Sequence, residues 1–332
     1  MAPPQLLSLL LLLLLLPAAA AATVSEHAAI GIVASTSPGV AVAIGSVEKS
    51  ASNPLFDQSE PWESGARGSI NNGYPNVIHT PGDSLGAYRL WYGICANGCN
   101  SQLVGYANSS DGVRWEKPAL GIYSDWKTIG RADLNGSANN IVMRGGGIGV
   151  FRDEHEKDPA KKFKAFGGGD SPQSLVGACF GPGGSTGCIG GGTGTSADGL
   201  VWGDAKRIKW PAPQRYDCHN NVFFDSQRGD YVATTRDGFS GPVGRTIAIQ
   251  RSVPGGAFSW DAAKAPAMVE HGTKTSQLYS QITFPWKDIY LGIVMVFDAT
   301  PKGHSGAWQL LHYSAAASPL PFERLLSWSR HF

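Results

Sequence analysis

Two heptads in the chain combine a serine, an aspartate and a tryptophan at the same spacing. They are SSDGVRW at residues 109–115 and SADGLVW at residues 196–202. A serine near an aspartate could suggest catalysis, but Asp-Gly between apolar segments is a strong signal of a tight turn, because glycine accepts a positive φ. The tryptophan would then pack against a neighbouring strand. We therefore interpret both heptads as turns between strands and not as catalytic motifs.

The five cysteines favour an oxidising compartment. Cys95 and Cys99 bracket one turn-rich segment, and Cys179 and Cys188 bracket another, so each pair could close a local disulfide. The alternative is one zinc ion held by four thiolates, which the irregular spacing disfavours. Cys218 is left without a predicted partner.

The N-terminus has the pattern of a secretory leader. An apolar run from Leu6 to Leu16 is followed by small residues at Ala20 and Ala22, which predicts a signal peptide over residues 1–22. The first five residues lack Lys and Arg and the apolar stretch approaches a membrane span, so a signal anchor stays an alternative. Either way we expect a secreted or endomembrane-lumenal protein. In such a protein the sequons at Asn108 and Asn135 are glycosylation sites.

Charge and motif spacing exclude several other partners. The net charge is +1 and only 16% of residues are charged, so neither nucleic acid nor a membrane surface is expected as a partner. Glycine-rich segments at 145–149 and 190–196 continue into strand-like sequence instead of a helix, which argues against nucleotide binding. The eight histidines lack metal-ligand spacing, so we expect no cofactor and no metal, although calcium held by oxygen atoms stays open.

The chain contains a repeating set of short predicted strands, which must position any functional residues. Four stretches share an amide residue followed by a β-branched one, a polar turn, a second apolar strand and a third strand. The pairs are Asn76-Val77, Asn140-Ile141, Asn221-Val222 and Gln281-Ile282, and the closing aromatics are Trp115, Trp202, Trp260 and Phe322. Short strands at a period of about 60 residues predict β-propeller blades.

The predicted fold class is therefore all-β, a β-propeller of the five-bladed type with four blades visible and the last incomplete. No segment sustains helical periodicity. The expected domains are the signal peptide at 1–22, a low-complexity Ala/Ser/Gly/Val-rich linker at 23–52, and the propeller at 53–332, truncated at its C-terminus. A four-bladed ring, closed by a strand from the segment before the first blade, is the alternative.

Several segments resemble the five-bladed propeller glycosidases of families 32, 43 and 68, the invertase, levansucrase and arabinanase type. They include YRLWY, LVGYANSSDGVRWEKPALGIYSDW, DCHNNVFFDSQRGDYVATTRD and QLYSQITFPWKDIYLGI, and the resemblance covers about residues 53–332. It implies carboxylates at the channel ends of the innermost strands. Glycoside hydrolysis needs one carboxylic acid to protonate the leaving oxygen and a second carboxylate as nucleophile or base.

The repeat register places the candidates near each amide. Asp217 in RYDCHNNV resembles the family's aspartate that stabilises the transition state. Glu270 is a candidate general acid ahead of the fourth blade, and Glu63 could supply the carboxylate that the first blade lacks. Each could instead be a turn-capping or solvated loop residue.

Other polar residues are candidate substrate-binding groups: Arg236, His219, Asn76, Asn140 and Asn221. A guanidinium such as that of Arg236 can form a fork of hydrogen bonds onto hydroxyls or a carboxylate, or it can pair with Asp237 instead. The recurrence of asparagine at one register also suits a structural role.

The leading hypothesis is a secreted glycoside hydrolase-like propeller that uses Asp217 with Glu270 or Glu63. The alternative is a non-catalytic carbohydrate-binding propeller. A sialidase ranks third, because sialidase Asp-boxes read S-x-D-x-G-x-x-W and both heptads are one residue shorter.

Overall fold

The computed structural model describes residues 48–64, 68–70, 73–97, 101–168, 192–207, 217–237, 244–253, 255–260, 267–270, 274–286, 289–299 and 306–313. These residues form sixteen β-strands in four antiparallel sheets and one short 3₁₀ turn at Pro159–Lys161, with no α-helix among them. Within these ranges no helix has the length and apolar character of a membrane span.

The strands follow one another along the chain, sheet by sheet. The first sheet contains β1 (Gly68–Ser69), β2 (Asn76–His79), β3 (Tyr88–Ala96), β4 (Ser101–Ser109) and β5 (Ile141–Arg144). The second contains β6 (Gly149–Arg152), β7 (Phe163–Gly167), β8 (Gly192–Ser196) and β9 (Gly203–Arg207). The third contains β10 (Asp217–Asp225), β11 (Asp230–Asp237), β12 (Thr246–Arg251) and β13 (Ala267–Glu270). The fourth contains β14 (Ser276–Trp286), β15 (Ile289–Asp298) and β16 (Gly306–Tyr313).

Apart from β1, which pairs with β3, consecutive strands of each sheet pair as a meander, and this confirms the predicted all-β propeller class. Strand β2 contacts β6, β6 contacts β10, and β10 contacts β14. We call these four strands, one from each sheet, the innermost strands. Apolar side chains fill the spaces between sheets. One cluster joins Trp91 and Tyr106 of the first sheet to Phe163 and Trp202 of the second.

The predicted start of the second repeat at Asn140 is wrong. Asn140 directly precedes β5, which pairs with β4 as the outermost strand of the first sheet, and the second sheet begins at Gly149 instead. The Asn140 side chain donates to the Tyr106 carbonyl (2.7 Å) and the Tyr92 hydroxyl (2.7 Å), both in the first sheet. The amide and β-branched pattern therefore also occurs where a chain joins the outer edge of a sheet.

Both heptads form the turn that follows the last strand but one of a sheet, β4 in the first sheet and β8 in the second, as the sequence predicts. In the first, the Ser109 hydroxyl oxygen accepts from the N–H of Gly112 (2.8 Å), and the Asp111 carboxylate accepts from the N–H groups of Val113 and Arg114 (2.8 Å each). The same bonds recur in the second heptad, from Gly199 to Ser196 and from Leu200 and Val201 to Asp198.

An aspartate recurs at the first hairpin of each of the first three sheets. The alignment of the repeats within the sequence did not identify it. In every case one carboxylate oxygen accepts the backbone N–H two residues later, at 2.9 to 3.1 Å. The other oxygen faces a cation from the same sheet, at 2.6 to 3.6 Å. The pairs are Asp83 with Arg89, Asp153 with Lys164, and Asp225 with Arg251.

Two of these aspartates also hold the next sheet. The Tyr231 hydroxyl of the third sheet donates to Asp153 of the second at 2.6 Å, and Tyr290 of the fourth sheet lies beside the Asp225 carboxylate of the third. Burial, followed by the neighbouring carboxylate, raises the pKa of both tyrosines, so the phenols stay protonated. Buried, charge-assisted bonds of this kind fix one sheet against the next.

Candidate functional site

The strongest sequence candidate, Asp217, begins the innermost strand β10 and lies opposite Arg236 of β11 in the antiparallel register. His219 follows two residues later on the same strand. The backbone therefore brings three predicted site residues to one end of the third sheet. The side chain of Asp217 lies outside the described part of the structure.

His219 joins this group to the first sheet. Its ring is buried, at 6% exposure, and its Nε2 lies 3.2 Å from the Asn76 Oδ1 of β2. Burial lowers the pKa of His219 to about 4, so the imidazole is neutral at physiological pH. A neutral imidazole can donate through one nitrogen and accept through the other, and the Tyr74 ring stands 5.8 Å away, centroid to centroid.

Asn76 and Asn221 act as clamps between innermost strands. The Asn76 amide donates to the Ile148 carbonyl (2.8 Å) and accepts from the Val150 N–H (3.1 Å), which ties β2 to β6. The Asn221 Oδ1 accepts the Thr283 N–H at 2.9 Å, which ties β10 to β14. The recurrence of asparagine at this register thus has a structural role that sequence reasoning had left open.

Arg236 is almost fully buried beside an aromatic side chain of the fourth sheet. Its guanidinium carbon lies 4.7 Å from the centroid of the Tyr279 ring, and that of Arg245 lies 5.4 Å from the same ring. Burial is the largest effect on Arg236 and lowers its pKa, while Tyr279 and Tyr74 act in the opposite direction. Arginine nevertheless stays charged in proteins, so a cation lies at the meeting point of three sheets.

Sequence reasoning missed Tyr74 and Tyr279, although a signal for them was present. Each lies two residues before the amide of its repeat, Tyr74 before Asn76 and Tyr279 before Gln281, and His219 has the same offset from Asn221. Simple strand alternation does not explain the shared offset, because Tyr74 precedes β2 with φ +40° and the pairing register shifts between residues 217 and 221 of β10 and between 278 and 280 of β14. We call Tyr74, His219, Arg236 and Tyr279 the ring cluster.

Glu63 does not join the ring cluster. Its carboxylate is fully buried and accepts from Lys117 Nζ at 2.5 Å and from the Tyr92 hydroxyl. Lys117 also donates to the Asp57 carbonyl (2.7 Å) and lies over the Phe56 ring. Glu63 therefore holds the N-terminal segment, residues 48–64, against β3 of the first sheet, much as Asp153 joins the second and third sheets.

Glu270 ends β13, the outermost strand of the third sheet. It pairs with Ile247, which pairs with Arg236, which pairs with Asp217, so Glu270 and Asp217 lie in one row across the sheet. Three strand spacings separate their backbones by roughly 14 Å. Its side chain, like that of Asp217, is not among those described.

Asn140 also lies away from the ring cluster. It is fully buried between Trp62, whose indole N–H donates to it at 2.9 Å, and the first sheet. Its amide atoms are therefore used in packing the N-terminal segment and not offered to a ligand.

Several other predictions fall partly or wholly outside the described residues, and they stay predictions. These are the leader, most of the linker, Phe322, and the pairing of Cys99, Cys179 and Cys188. Cys95 is disulfide-bonded. In the described part of the chain, no three His, Cys, Asp or Glu side chains gather as metal ligands would.

Comparison with known proteins finds likeness in solved structures alone. No family model matches the chain, and no curated protein matches it in sequence. An exo-1,5-alpha-L-arabinanase from a bovine ruminal metagenomic library is 11% identical with a TM-score of 0.49, over 75% of this chain and 77% of that one.

Two further solved structures are similar at comparable levels. A GH43 endo-arabinanase from Bacillus licheniformis is 11% identical with a TM-score of 0.46, over 73% of each chain. A GH43 beta-xylosidase/alpha-arabinofuranosidase from a compost microbial metagenome is 13% identical with a TM-score of 0.43, over 76% of this chain and 72% of that one. GH43 is one of the three glycosidase families that the sequence resembles.

Proposed function

We propose that this chain is a glycoside hydrolase-like propeller that binds a carbohydrate at the ring cluster and cleaves it with Asp217 as one of the two carboxylates. The observation that supports this is a chain of neighbours: the Tyr74 ring lies beside His219, Tyr74 acts electrostatically on Arg236, and the Arg236 guanidinium lies over the Tyr279 ring. Asp217 lies opposite Arg236 in the same strand pair.

The chemistry of the cluster suits a sugar. Aromatic rings offer flat faces on which the C–H side of a pyranose or furanose can stack. Arg236 donates hydrogen bonds in a fixed fork, and a neutral His219 can either donate or accept. A small number of placed polar groups among apolar walls is the usual composition of a small-ligand site.

The second carboxylate is the open part of this mechanism. Glu63 is committed to its ion pair with Lys117, so Glu270 is the remaining sequence candidate. Glycoside hydrolysis needs carboxyl groups about 5–10 Å apart, which is less than the roughly 14 Å between the backbones of Asp217 and Glu270. Both side chains would have to lean toward each other along the row for Glu270 to act as the acid.

The burial of Glu63 favours a second candidate function, a propeller that binds a carbohydrate without cleaving it. Such a protein would keep the ring cluster and lack the acid/base pair. Both candidates place the sugar at the same residues and differ in turnover alone.

The test is a screen of glycan hydrolysis and glycan binding with the wild type, Asp217→Asn, Tyr279→Ala and the control Glu154→Gln, a side chain that is 64% exposed on a distant hairpin. If the chain is a hydrolase, Asp217→Asn lowers kcat about 10²–10³-fold with KM little changed, as loss of a group that stabilises the transition state electrostatically does. Tyr279→Ala should weaken binding and the control should change neither. Binding without turnover would select the second candidate. Equal activity and binding in all four proteins would refute both.

We also propose that the protein acts in the secretory lumen or outside the cell. The leader-like N-terminus and the disulfide at Cys95 support this location.

A further inference from the structure

The two sequons lie on different kinds of backbone, although the sequence presents them as equivalent. Asn108 lies in β4, where it pairs with Arg89 of β3 on one side. On the other side its N–H donates to the Glu116 carbonyl (3.0 Å) and its carbonyl accepts from the Glu116 N–H (2.8 Å). Asn135 lies in the connection between β4 and β5 and is exposed to solvent.

The side chain of Asn108 is half-buried. It lies near the Tyr106 hydroxyl, which accepts from Arg89 Nε at 2.9 Å. The backbone of Gly86 passes so close that a Cβ built there would stand 3.1 Å from the Cβ of Asn108. A glycan on Asn108 would have to leave a half-buried position past this close contact with Gly86.

The surroundings of Asn135 are the opposite. Its loop is fixed from beneath, because the Trp126 indole N–H donates to the Gly136 carbonyl (2.9 Å) and Trp126 stacks on Trp62 at 5.9 Å between ring centroids. Gly136 adopts φ +72°, and no heavy atom lies within 4 Å of the position that a Cβ would take there. Asn135 therefore sits at an open turn on a well-anchored loop.

We propose that Asn135 is an N-glycosylation site of the folded protein and that Asn108 is not. The donor class is a lipid-linked oligosaccharide diphosphate. The Asn135 Nδ2 forms a bond to the anomeric carbon of the first sugar, the bond from that carbon to the diphosphate oxygen breaks, and the amide loses one proton as the lipid diphosphate leaves. This requires entry into the secretory lumen and is independent of whether the ring cluster binds a sugar.

The experiment translates the full chain in the presence of microsomes and counts the mobility steps that an amidase specific for N-glycans removes. The informative variants are Ser137→Ala and Ser110→Ala, which destroy the sequons of Asn135 and Asn108 while leaving both asparagines in place. Ser137→Thr, which retains its sequon, is the matched control.

We expect one removable step in the wild type, in Ser110→Ala and in Ser137→Thr, and none in Ser137→Ala. Protease protection of the same samples reports translocation separately. A step lost in Ser110→Ala and kept in Ser137→Ala would overturn the assignment, as would two steps in the wild type. Protected chains without a glycan, or chains left outside the microsomes, also contradict it, because transfer occurs only in the lumen.

Discussion

The turns at residues 109–115 and 196–202 have the same internal geometry and different surroundings. Gly112 adopts φ +74° and Gly199 adopts φ +73°, and the serine and aspartate of each heptad accept the same backbone N–H groups. These bonds reach over no more than three residues, so the heptad makes its own turn wherever it occurs.

Only the second turn is built into an interface between sheets. Arg89 of the first sheet donates to the Asp198 carbonyl, and the Trp91 indole N–H donates to the Gly199 carbonyl at 2.8 Å. Trp202 is 3% exposed in the cluster between the first two sheets. The first turn instead packs Trp115 edge-on to Phe56 of the N-terminal segment and leaves Asp111 at the surface.

The same local motif can therefore contribute very differently to the stability of the molecule at two places in the chain. A turn that is only a turn can be replaced at small cost, because water satisfies the groups it exposes. A turn whose carbonyls are bonded by a neighbouring sheet holds that sheet as well. Paired substitutions in the two heptads measure this difference.

The largest effect is expected at the tryptophans. Trp202→Ala should lower the free energy of unfolding by about 3–5 kcal/mol, as truncation of a buried aromatic does. Trp115→Ala removes a half-buried ring and should cost about 1–2 kcal/mol at the usual value per unit of apolar area. Denaturant unfolding followed by circular dichroism measures both, and equal losses would show that the two turns are energetically alike.

The next-largest difference in stability between the two turns is expected when their glycines are replaced. Gly112→Ala and Gly199→Ala share the cost of a left-handed residue, about 1–2 kcal/mol. At Gly199 the new Cβ would also stand 2.7 Å from the Trp91 ring, whereas at Gly112 the nearest atom is 3.4 Å away in Tyr88. Overpacking should add about 1–3 kcal/mol at Gly199 alone. A smaller loss at Gly199 than at Gly112 would contradict the tight approach of the two sheets.

The stability costs of replacing the two aspartates should differ less. Asp198→Ala removes the acceptor of two N–H groups in a partly buried turn and should cost about 1–2 kcal/mol. Asp111→Ala should cost less, because the freed N–H groups face water. Thermal unfolding of the two variants beside the wild type gives the order, with Glu154→Gln as a charge-loss control.

Lowering the pH should weaken the turn at Asp111. The N–H groups of Arg114 and Val113 hold the pKa of Asp111 at about 2, below its ordinary value. Because the folded-state pKa is lowered, this contribution is present above about pH 4 and is lost as the pH falls toward 2. Carboxyl-carbon NMR of Asp111 should show the titration, and a midpoint near the ordinary value would contradict the turn geometry.

The smallest effect is expected at the position where the heptads differ most in chemistry. Arg114 is 86% exposed and pairs with Asp111 at 2.7 Å, and its counterpart Val201 is 55% exposed. An exposed ion pair contributes little to stability, so Arg114→Val and Val201→Arg should both leave the unfolding midpoint unchanged within experimental error. A clear shift in either would mean that this position contacts more than water.

Local patterns predicted most of the fold correctly. Alternating apolar residues and Asp-Gly turns indicated the strands and their order, and the second and third strands of all four sheets lie where the repeats predicted them. The error at Asn140 arose because its amide and β-branched pair resembles the start of a blade, while its hydrogen bonds belong to the outer edge of the preceding one.

The candidate site was predicted in part. Asp217 and His219 were identified near the amide of the innermost strand β10, and Arg236 was identified on β11, which pairs with β10. Tyr74 and Tyr279 were missed, although they share with His219 an offset of two residues from an amide. That offset has meaning only once the strands are known to be innermost.

The sequence by itself determined what depends on short range: the strands, the turn chemistry of the heptads and the succession of the blades. The tertiary structure decided what depends on residues that are distant in the chain. Glu63 was a candidate for the carboxylate that the first blade lacks until Lys117, 54 residues away, was seen to bind it. The two heptads looked equivalent until Trp91, 108 residues before Gly199, was seen to bond one of them. A turn is specified by the few residues that make it, whereas a buried charge or carbonyl is specified by whichever distant strand the fold brings against it.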